Sequence, residues 1–576
     1  MRTSAKDIPW YVADFETTGE NEYKSKGSTR VWLYAIANRD CEIATYGDSI
    51  EGFMEWLYQH PSSTIYFHNL RFDGSFILNW LLKHNYPYEE TLLSHSKKGY
   101  STLIGEMGEF YQLKINFAPN RQVVILDSLK VIPLTVDEIA KSFGLPISKG
   151  RIDYEDYTID DETLDYVFRD VKIVAQALKF FKDNGFNRMT IGSNAYNDYK
   201  AKCPHFNRQF PRLEKEFINE WRSAYRGGRT QVNPKYAGKI LNNVKRYDIN
   251  SMYPYVMAHM RLPYGNPIES DTPGRFKFEL YDVTINFKLK KGHLPTLLKT
   301  GSIYSKAGDT YYTDSEGFIQ LKISSIDLEI MKLHYDIYYL KYNKVLGFKT
   351  SSFMFRDWIL DYYNKKSNST GGLRMLYKLI INSFYGKFGS KCEGRNKIPS
   401  LGDDGQLVYV LSEVKDMGIY YLPVAIAVVS YAHLLIDNAI METSVDNFVY
   451  CDTDSVHTLG SLPDDWVDSK ELGKFKLEGV EEVSKYIRQK TYLYKEDNKW
   501  EVTCAGLPKG VKEEIVRMLG DDVINKFDIG FTVISEDDTD SEVDENTYRV
   551  PRNKMKLRPV QVPGGVILKP VPFGLR

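Results

Sequence analysis

The sequence predicts a multidomain fold in which an α/β unit precedes α+β units, and three observations predict it. Strand-like and helical patterns alternate up to about residue 190; short strands stand between long helices beyond it; no internal repeat or long Pro- or Gly-rich linker intervenes. Residues 8–47 read as strands: WYVADFETT, VWLYAIANRD and EIATYG. Residues 49–60 and 74–84 are expected helices, and VVILDSL at 123–129 an apolar strand. Residues 161–183 predict a helix, with Leu164, Val167, Val171, Val174, Ala175 and Leu178 on one face. A second region starts with a helix-like 213–225 and the glycine pair of YRGG, and reaches the strand KRYDI at 245–249. Residues 260–352 are mixed, with strands such as FKFELYDVTINFKL; 353–388 are helical with a break at the NSTGG of 368–372. KIPSL and QLVYVL read as a hairpin across DDG, 423–442 as a helix, and NFVYCDTDSVHTL as two strands around a tight polar turn. From about 505 a helix precedes irregular, proline-rich chain.

A length of 576 residues implies several domains. Hydrophobic residues at 43% and charged residues at 26% place the chain among ordinary soluble proteins. No apolar run reaches the length of a membrane span and the N-terminus lacks the apolar stretch of a signal peptide, so neither a membrane partner nor export is expected. The five cysteines are scattered and odd in number, which predicts neither a disulfide framework nor a zinc site and suits a reducing cytoplasm. A net charge of −1 does not point to nucleic acid, but its distribution is uneven. Seven acids crowd residues 536–545, whereas 546–576 hold seven Lys/Arg and no acid. A basic segment of this kind can track phosphates, or simply be a solvated tail. The 42 tyrosines can stack on bases, although core filling is their commoner use.

Two sets of carboxylates carry the chemistry. Asp14 and Glu16 in VADFETT are two apart on a strand, hence on one face, where they can hold a divalent cation. Asp73 follows in NLRFD, and Asp170 lies four residues after Tyr166 on one helix face. Each signal alone is weak; their order within one α/β domain is far more specific. Together they describe a two-metal phosphodiester hydrolase, with Tyr166 orienting the attacking water. The second set is Asp248, at the end of KRYD, with Asp452 and Asp454 in YCDTDS. Strand ends set side by side would again form a two-metal site, here for phosphoryl transfer from a triphosphate to a primer hydroxyl, with the Ile249 carbonyl completing a metal shell. In LRMLYKLIINSFYGKF, Arg374 and Lys378 share a helix face, Asn382 and Tyr385 follow at helical spacing, and Lys366 precedes. Three bases there would cradle phosphate oxygens, although a solvated basic face is the better explanation of the pattern alone, and the NSFYGK ending shifts the balance. Tyr253 in NSMYP would clash with a ribose 2′-hydroxyl, or simply fill the core.

The motifs DFET, YFHNLRFDGSF, DSLK, KGRIDY, YVFRD, RMTIGS, YRGG, D-x-N-S-M-Y-P, LIINSFYGKF, YCDTDS, RQKTY, CAG and KLRPVQVPGGV occur in this order. The chain thereby resembles the protein-primed family B DNA polymerases, and closely the phi29-type polymerases of small tailed phages. The resemblance implies an RNase H-like (DnaQ-like) 3′→5′ exonuclease domain at 1–190, followed by a right-hand polymerase. That polymerase would comprise a palm at 191–259 and 422–504, fingers at 353–389 and a thumb at 505–576. Two insertions are implied: a first terminal-protein region at 260–352, and a second at 390–421 whose hairpin encircles DNA and displaces the strand ahead. It implies that Lys149 assists the exonuclease acids. His68, Asn69, Phe72, Ser128 and Leu129 would hold the frayed primer end, and some would meet the terminal protein. Tyr225, Arg226, Gly227 and Gly228 would grip template between the active sites, and Lys490 and Tyr492 would touch the primer terminus. Implied cofactors are two Mg²⁺ ions per site, with Mn²⁺ as a substitute. Implied partners are primer-template and single-stranded DNA, dNTPs, a phage terminal protein and a single-stranded DNA-binding protein. A monomer in the cytoplasm of an infected bacterial host is expected. Three places depart from the pattern: His433 in YAHLL, Arg151 in KGRIDY, and the acidic block 536–545, which is expected to point away from DNA or to meet a protein.

Two other readings compete. A nuclease whose second half only grips DNA is opposed by the intact Asp248, Asp452, Asp454 and Lys378. A non-catalytic DNA-binding scaffold would leave both acidic sets as purposeless, mutually repelling charge.

Overall fold

The computed structural model describes residues 8–60, 62–145, 157–299, 310–539 and 541–575. The first unit is built on a seven-stranded sheet. Its order is Ile43–Gly47, Val31–Asn38, Trp10–Thr17, Thr64–Phe67, Arg121–Asp127, Phe110–Ala118, Gly99–Ile104. Thr64–Phe67 runs parallel to both neighbours and the other pairs are antiparallel. Buried on both faces, the inner strands read as apolar runs, with Val31 to Ala37 wholly buried. The helix Asp161–Asp183 forms as its periodicity predicts and is capped by the Asp160 carboxylate, which accepts the Thr163 N–H. It lays Val167, Val171, Val174 and Leu178 on strands Trp10–Thr17 and Val31–Asn38. Helices Ile50–Gln59 and Leu70–Lys83 contribute Phe53, Leu57, Phe76 and Ile77 to a second core with Phe15 and Phe67. The latter helix begins earlier than the apolar pattern indicates. Asn69 takes a left-handed conformation, φ 80°, that turns the chain from strand to helix at once.

The second unit centres on an antiparallel sheet ordered Phe475–Glu481, Val244–Ile249, Ser455–Thr458, Phe448–Asp452, Thr230–Val232. Helix Leu422–Thr443 packs Ala432, Ile436 and Ile440 against Tyr247, Phe448 and Val456 of that sheet. This helix corrects one expectation, because it is long and apolar enough to cross a membrane; most of it is buried, so its apolar surface is used as core. Residues 260–352 contain a four-stranded antiparallel sheet and the helix Ser325–His334. Helices Arg356–Ser367 and Gly371–Phe388 break at 368–370, and Lys397–Leu401 pairs with Leu407–Leu411 as predicted.

The C-terminal region also needs correction. After helix Lys509–Leu519 the chain is not irregular: Thr532–Ser535, Thr547–Val550 and Phe573–Gly574 form a sheet, and Leu557–Val562 pairs with Gly565–Pro570. Prolines argue against central strands, but a two-stranded ribbon has only edges, so Pro559 costs little there. The ribbon tip docks on the first unit: Thr29 donates its N–H to the Pro563 carbonyl, and Val566 joins the core of that unit. Gly564 is required, since a Cβ would lie 2.1 Å from the Thr29 oxygen. The other hairpin docks nearby through Leu407, and its Gly405 approaches Pro563. All five cysteines are free thiols.

Candidate active sites

In the first unit, Asp14 and Glu16 stand opposite Ala35 and Leu33 on one face of the strand Trp10–Thr17. The left-handed turn at Asn69 places Asp73 in the first turn of its helix, wholly inside. Burial, reinforced by the charges of Asp14, Glu16 and Asp127, holds the Asp73 carboxyl well above the usual carboxylate range. The fold thus gathers acids separated by nearly sixty positions in sequence. Tyr166 and Asp170, one turn apart, are both 4% exposed on the helix covering the strand of Asp14 and Glu16. The sequence reading overlooked Asp127. Its Oδ1 accepts the N–H groups of Asn69 (3.1 Å) and Leu129 (3.0 Å), joining the two segments expected to hold a primer end. Burial raises its carboxyl against those bonds. The signal lay in DSLK, whose acid was passed over for its neighbours. His68 Nδ1 lies 2.9 Å from Ser128 Oγ and its Nε2 2.7 Å from the Leu134 carbonyl; Phe72 lies half-buried against Phe76. Lys149 and Arg151 lie outside the described residues.

In the second unit, sheet register sets Asp248 opposite Ser455, which also opposes Asp452. The turn between these strands puts Thr453 at φ 62°, and Ile249 N–H is bonded to the Asp454 carbonyl. Burial, with the charges of Asp454 and Glu478, pushes Asp248 up to about 7, against Lys476 and Lys378. Burial also raises Asp454, with Asp452 adding to it. Asp452 is differently placed. Lys490 Nζ lies 2.7 Å from both its oxygens, and the Thr230 hydroxyl donates to it at 2.9 Å. Asp452 is thus the ion-paired member of the triad, while Asp248 and Asp454 are the two that burial and neighbouring acids raise. Thr230 and Glu478 were not foreseen, since neither stands in a motif.

Across from the acids, Arg374, Lys378 and Asn382 form an exposed row on Gly371–Phe388. Lys366 sits at its base, with Nζ 3.2 Å from Ser251 Oγ; burial, then Arg374 and Lys378, lower its ammonium to about 8. Tyr253 and Tyr385 stack with centroids 4.0 Å apart, and Tyr225 lies against Gly389, where a Cβ would meet its ring at 2.7 Å. Burial, with Tyr385, raises the Tyr225 phenol to about 12. Gly228 abuts the Thr453 side chain. Arg226 corrects an expectation. Its guanidinium is buried and donates to the Leu298 and Lys322 carbonyls, so it faces the interior rather than a strand of DNA. Tyr492, half-buried, packs with the buried rings of Tyr450 and Tyr486 and with Tyr494. His433 is buried against Asp327. Of the acidic block, Asp537 pairs with Arg552, which also binds Glu20 of the first unit, and the Asp538 carbonyl accepts from Arg549.

Among the described residues, no three acids, histidines or cysteines close into a cage around one point. The acids nonetheless fit divalent cations. Buried carboxyls raised beside one another mark concentrated negative charge, and Mg²⁺ ordinarily takes one or two carboxylates and completes its octahedron with water and phosphate oxygens.

The family described as DNA polymerase type B, organellar and viral, matches residues 57–158 and 154–470. The chain is 34% identical to the DNA polymerase of Bacillus phage phi29, covering 97% of each. It is 32% identical to that of Streptococcus phage Cp-1, covering 88% of this chain and 92% of the relative. The structure of phi29 DNA polymerase complexed with primer-template DNA and incoming nucleotide substrates superposes with a TM-score of 0.86 at 33% identity, over 99% of this chain and all of the other.

Proposed function

Since the chain belongs to the organellar and viral type B DNA polymerases, and within them to the DNA-directed enzymes of the phi29 type, we propose that it replicates a linear phage genome from a terminal-protein primer and proofreads its product. The observation that carries this reading is the pair of acid clusters, each in its own domain and each with a carboxyl raised by burial and then by the neighbouring acids. Divalent cations, taken as Mg²⁺ with Mn²⁺ able to substitute, would supply activation of the attacking oxygen and neutralisation of the leaving one at both sites.

The protein's own residues then have distinct tasks. Asp248 and Asp454, with the Ile249 carbonyl, hold the reaction centre at the strand ends. Asp452, fixed by Lys490 and Thr230, keeps the turn in place. Arg374, Lys378 and Lys366 take the triphosphate oxygens, and Asn382 borders them. The Tyr253–Tyr385 stack forms the floor on which the sugar rests and excludes a 2′-hydroxyl. In the exonuclease, Asp14, Glu16, Asp73 and Asp170 would hold the divalent cations that bind the scissile phosphate, and Tyr166, with Lys149, serves the attacking water. Asn69, Phe72 and Leu129, braced by His68, Ser128 and Asp127, grip the frayed end. Tyr225, Gly227 and Gly228 contact template, and Lys490 and Tyr492 lie beside the primer terminus. The meeting of the two hairpin tips near Gly405 and Pro563 supports enclosure of DNA, hence processive strand displacement. Phi29 DNA polymerase has been solved in complex with single-stranded DNA and with primer-template DNA and incoming nucleotides, and we take the same ligands for this chain. The terminal protein is assigned to residues 260–352, and an infected bacterial cytoplasm to the site of action.

The test separates the activities. Asp454→Asn should abolish nucleotide incorporation and leave degradation of single-stranded DNA; Asp14→Ala with Glu16→Ala should do the reverse. Retained synthesis in the first variant refutes the assignment. Protein priming is tested with dATP, Mg²⁺ and the candidate terminal protein of the same genome. Absence of covalently attached nucleotide, where a DNA primer is extended, refutes it.

A further inference from the structure

The loop Tyr225–Gly228 lies against three parts of the protein, and one contact is unlike the rest. Tyr225 meets Gly389 and Gly228 meets Thr453, both by van der Waals contact. The Arg229 carbonyl accepts the Thr453 N–H at 2.7 Å, so the loop is continuous with the turn that carries Asp452 and Asp454. The carbonyl of Gly227, however, is held by a side chain: His433 Nε2 lies 2.8 Å away. The other ring nitrogen, Nδ1, is 3.1 Å from Asp327 Oδ1, at the start of the helix Ser325–His334 in the 260–352 region. Both His433 and Asp327 are 7% exposed.

A carbonyl oxygen only accepts, and so does an ionised carboxylate; His433 satisfies both only as an imidazolium donating from each nitrogen. Asp327 is kept ionised. Burial would raise it, but the His433 bond, the charges of His433 and Arg226, and the Ser430 hydroxyl outweigh burial and hold it below the usual range. Its second oxygen accepts from Ser324 and Ser430 at 2.8 and 2.6 Å. Among the described residues, the other charged groups in this interior are Arg226, Arg229 and Asp437. Arg229 pairs with Asp437 at 2.7 Å, and His334 binds the remaining Asp437 oxygen at 3.0 Å. Asp437 is therefore committed elsewhere, and Asp327 is the counter-charge of His433.

We propose that His433 is a positioning residue for the template strand: braced by Asp327, it holds the Gly227 carbonyl and keeps the Tyr225–Gly228 loop seated against the Asp452–Asp454 turn. The inference rests on reading that loop as a template contact. The experiment measures primer-template affinity by fluorescence anisotropy, extension kinetics, and degradation of single-stranded DNA. His433→Leu should weaken primer-template binding about tenfold, the weight of one buried hydrogen bond, and raise KM for primer-template more than it lowers kcat. Degradation of single-stranded DNA should be unchanged. His433→Gln, whose amide donates without titrating, should restore most of the affinity. Asp327→Asn weakens the brace behind the ring and should lower primer-template affinity in the same direction, with degradation of single-stranded DNA unchanged. Should His433→Leu lose single-stranded degradation as well, the variant is misfolded and Asp327→Asn decides. Unchanged binding in a folded His433→Leu, no rescue by His433→Gln, or unchanged binding by Asp327→Asn overturns the proposal. A wild type that neither binds nor extends primer-template would overturn the polymerase reading instead.

Discussion

Gly228→Ala isolates the contact between the loop and the polymerase turn. A Cβ at this position would lie 2.7 Å from Thr453 Oγ1, 3.0 Å from Cγ2 and 3.2 Å from Cβ. Ordinary van der Waals contact starts near 3.4 Å, so the shortest approach falls about 0.7 Å short of it. Thr453 cannot swing clear freely. It sits at φ 62°, its N–H is bonded to Arg229, and its hydroxyl lies 3.1 Å from Asp452. The clash is therefore passed to the turn, and with it to Asp452 and Asp454. A displacement of 1 Å at a reacting centre costs on the order of a hundredfold, so a shift of this size should slow incorporation roughly 10- to 30-fold. Single-turnover addition of one nucleotide to a primer at saturating dNTP reads the effect. Digestion of single-stranded DNA by the same preparation should be unaffected, because both residues of this contact belong to the second unit. Gly228→Ala combined with Thr453→Ala should recover part of the loss, since Oγ1 and Cγ2 are then gone. Wild-type incorporation by Gly228→Ala, or an equal loss of digestion, would refute the reasoning.

Lys366 offers a pH test. Its ammonium is lowered to about 8, so it is charged below that pH and neutral above it; KM for dNTP should rise as pH passes about 8, and Lys366→Gln should raise KM at neutral pH and flatten the profile. Asp127→Ala should orphan the N–H groups of Asn69 and Leu129. Loss of that brace should lower digestion of single-stranded DNA by about tenfold, with nucleotide incorporation unchanged.

Local structure was legible wherever one pattern dominated. The helix Asp161–Asp183 and the strands of NFVYCDTDSVHTL appear as their periodicity and turn residues require. It was illegible where chain geometry outweighed periodicity. The apolar pattern alone misplaced the start of Leu70–Lys83, because the left-handed Asn69 sets it, and proline content concealed the ribbon Leu557–Val562 with Gly565–Pro570. The site acids were legible for a related reason. Asp14 with Glu16, and Asp452 with Asp454, are close in sequence, and spacing alone fixes which acids share a strand or a turn.

Residue types, order and spacing are local properties, and they were enough to indicate two acid clusters on an α/β unit followed by α+β units. Charge balance and commitment are not local. Burial and neighbours from distant segments decide that Asp248 is raised to about 7 while Asp452 is ion-paired with Lys490. They also decide that Arg226 turns to interior carbonyls, and that His433, an oddity in the sequence, spans Asp327 and Gly227. The electrostatic energy of a group depends on which charges and dipoles lie within a few ångströms of it, and only the folded chain brings residues 227, 327 and 433 that close.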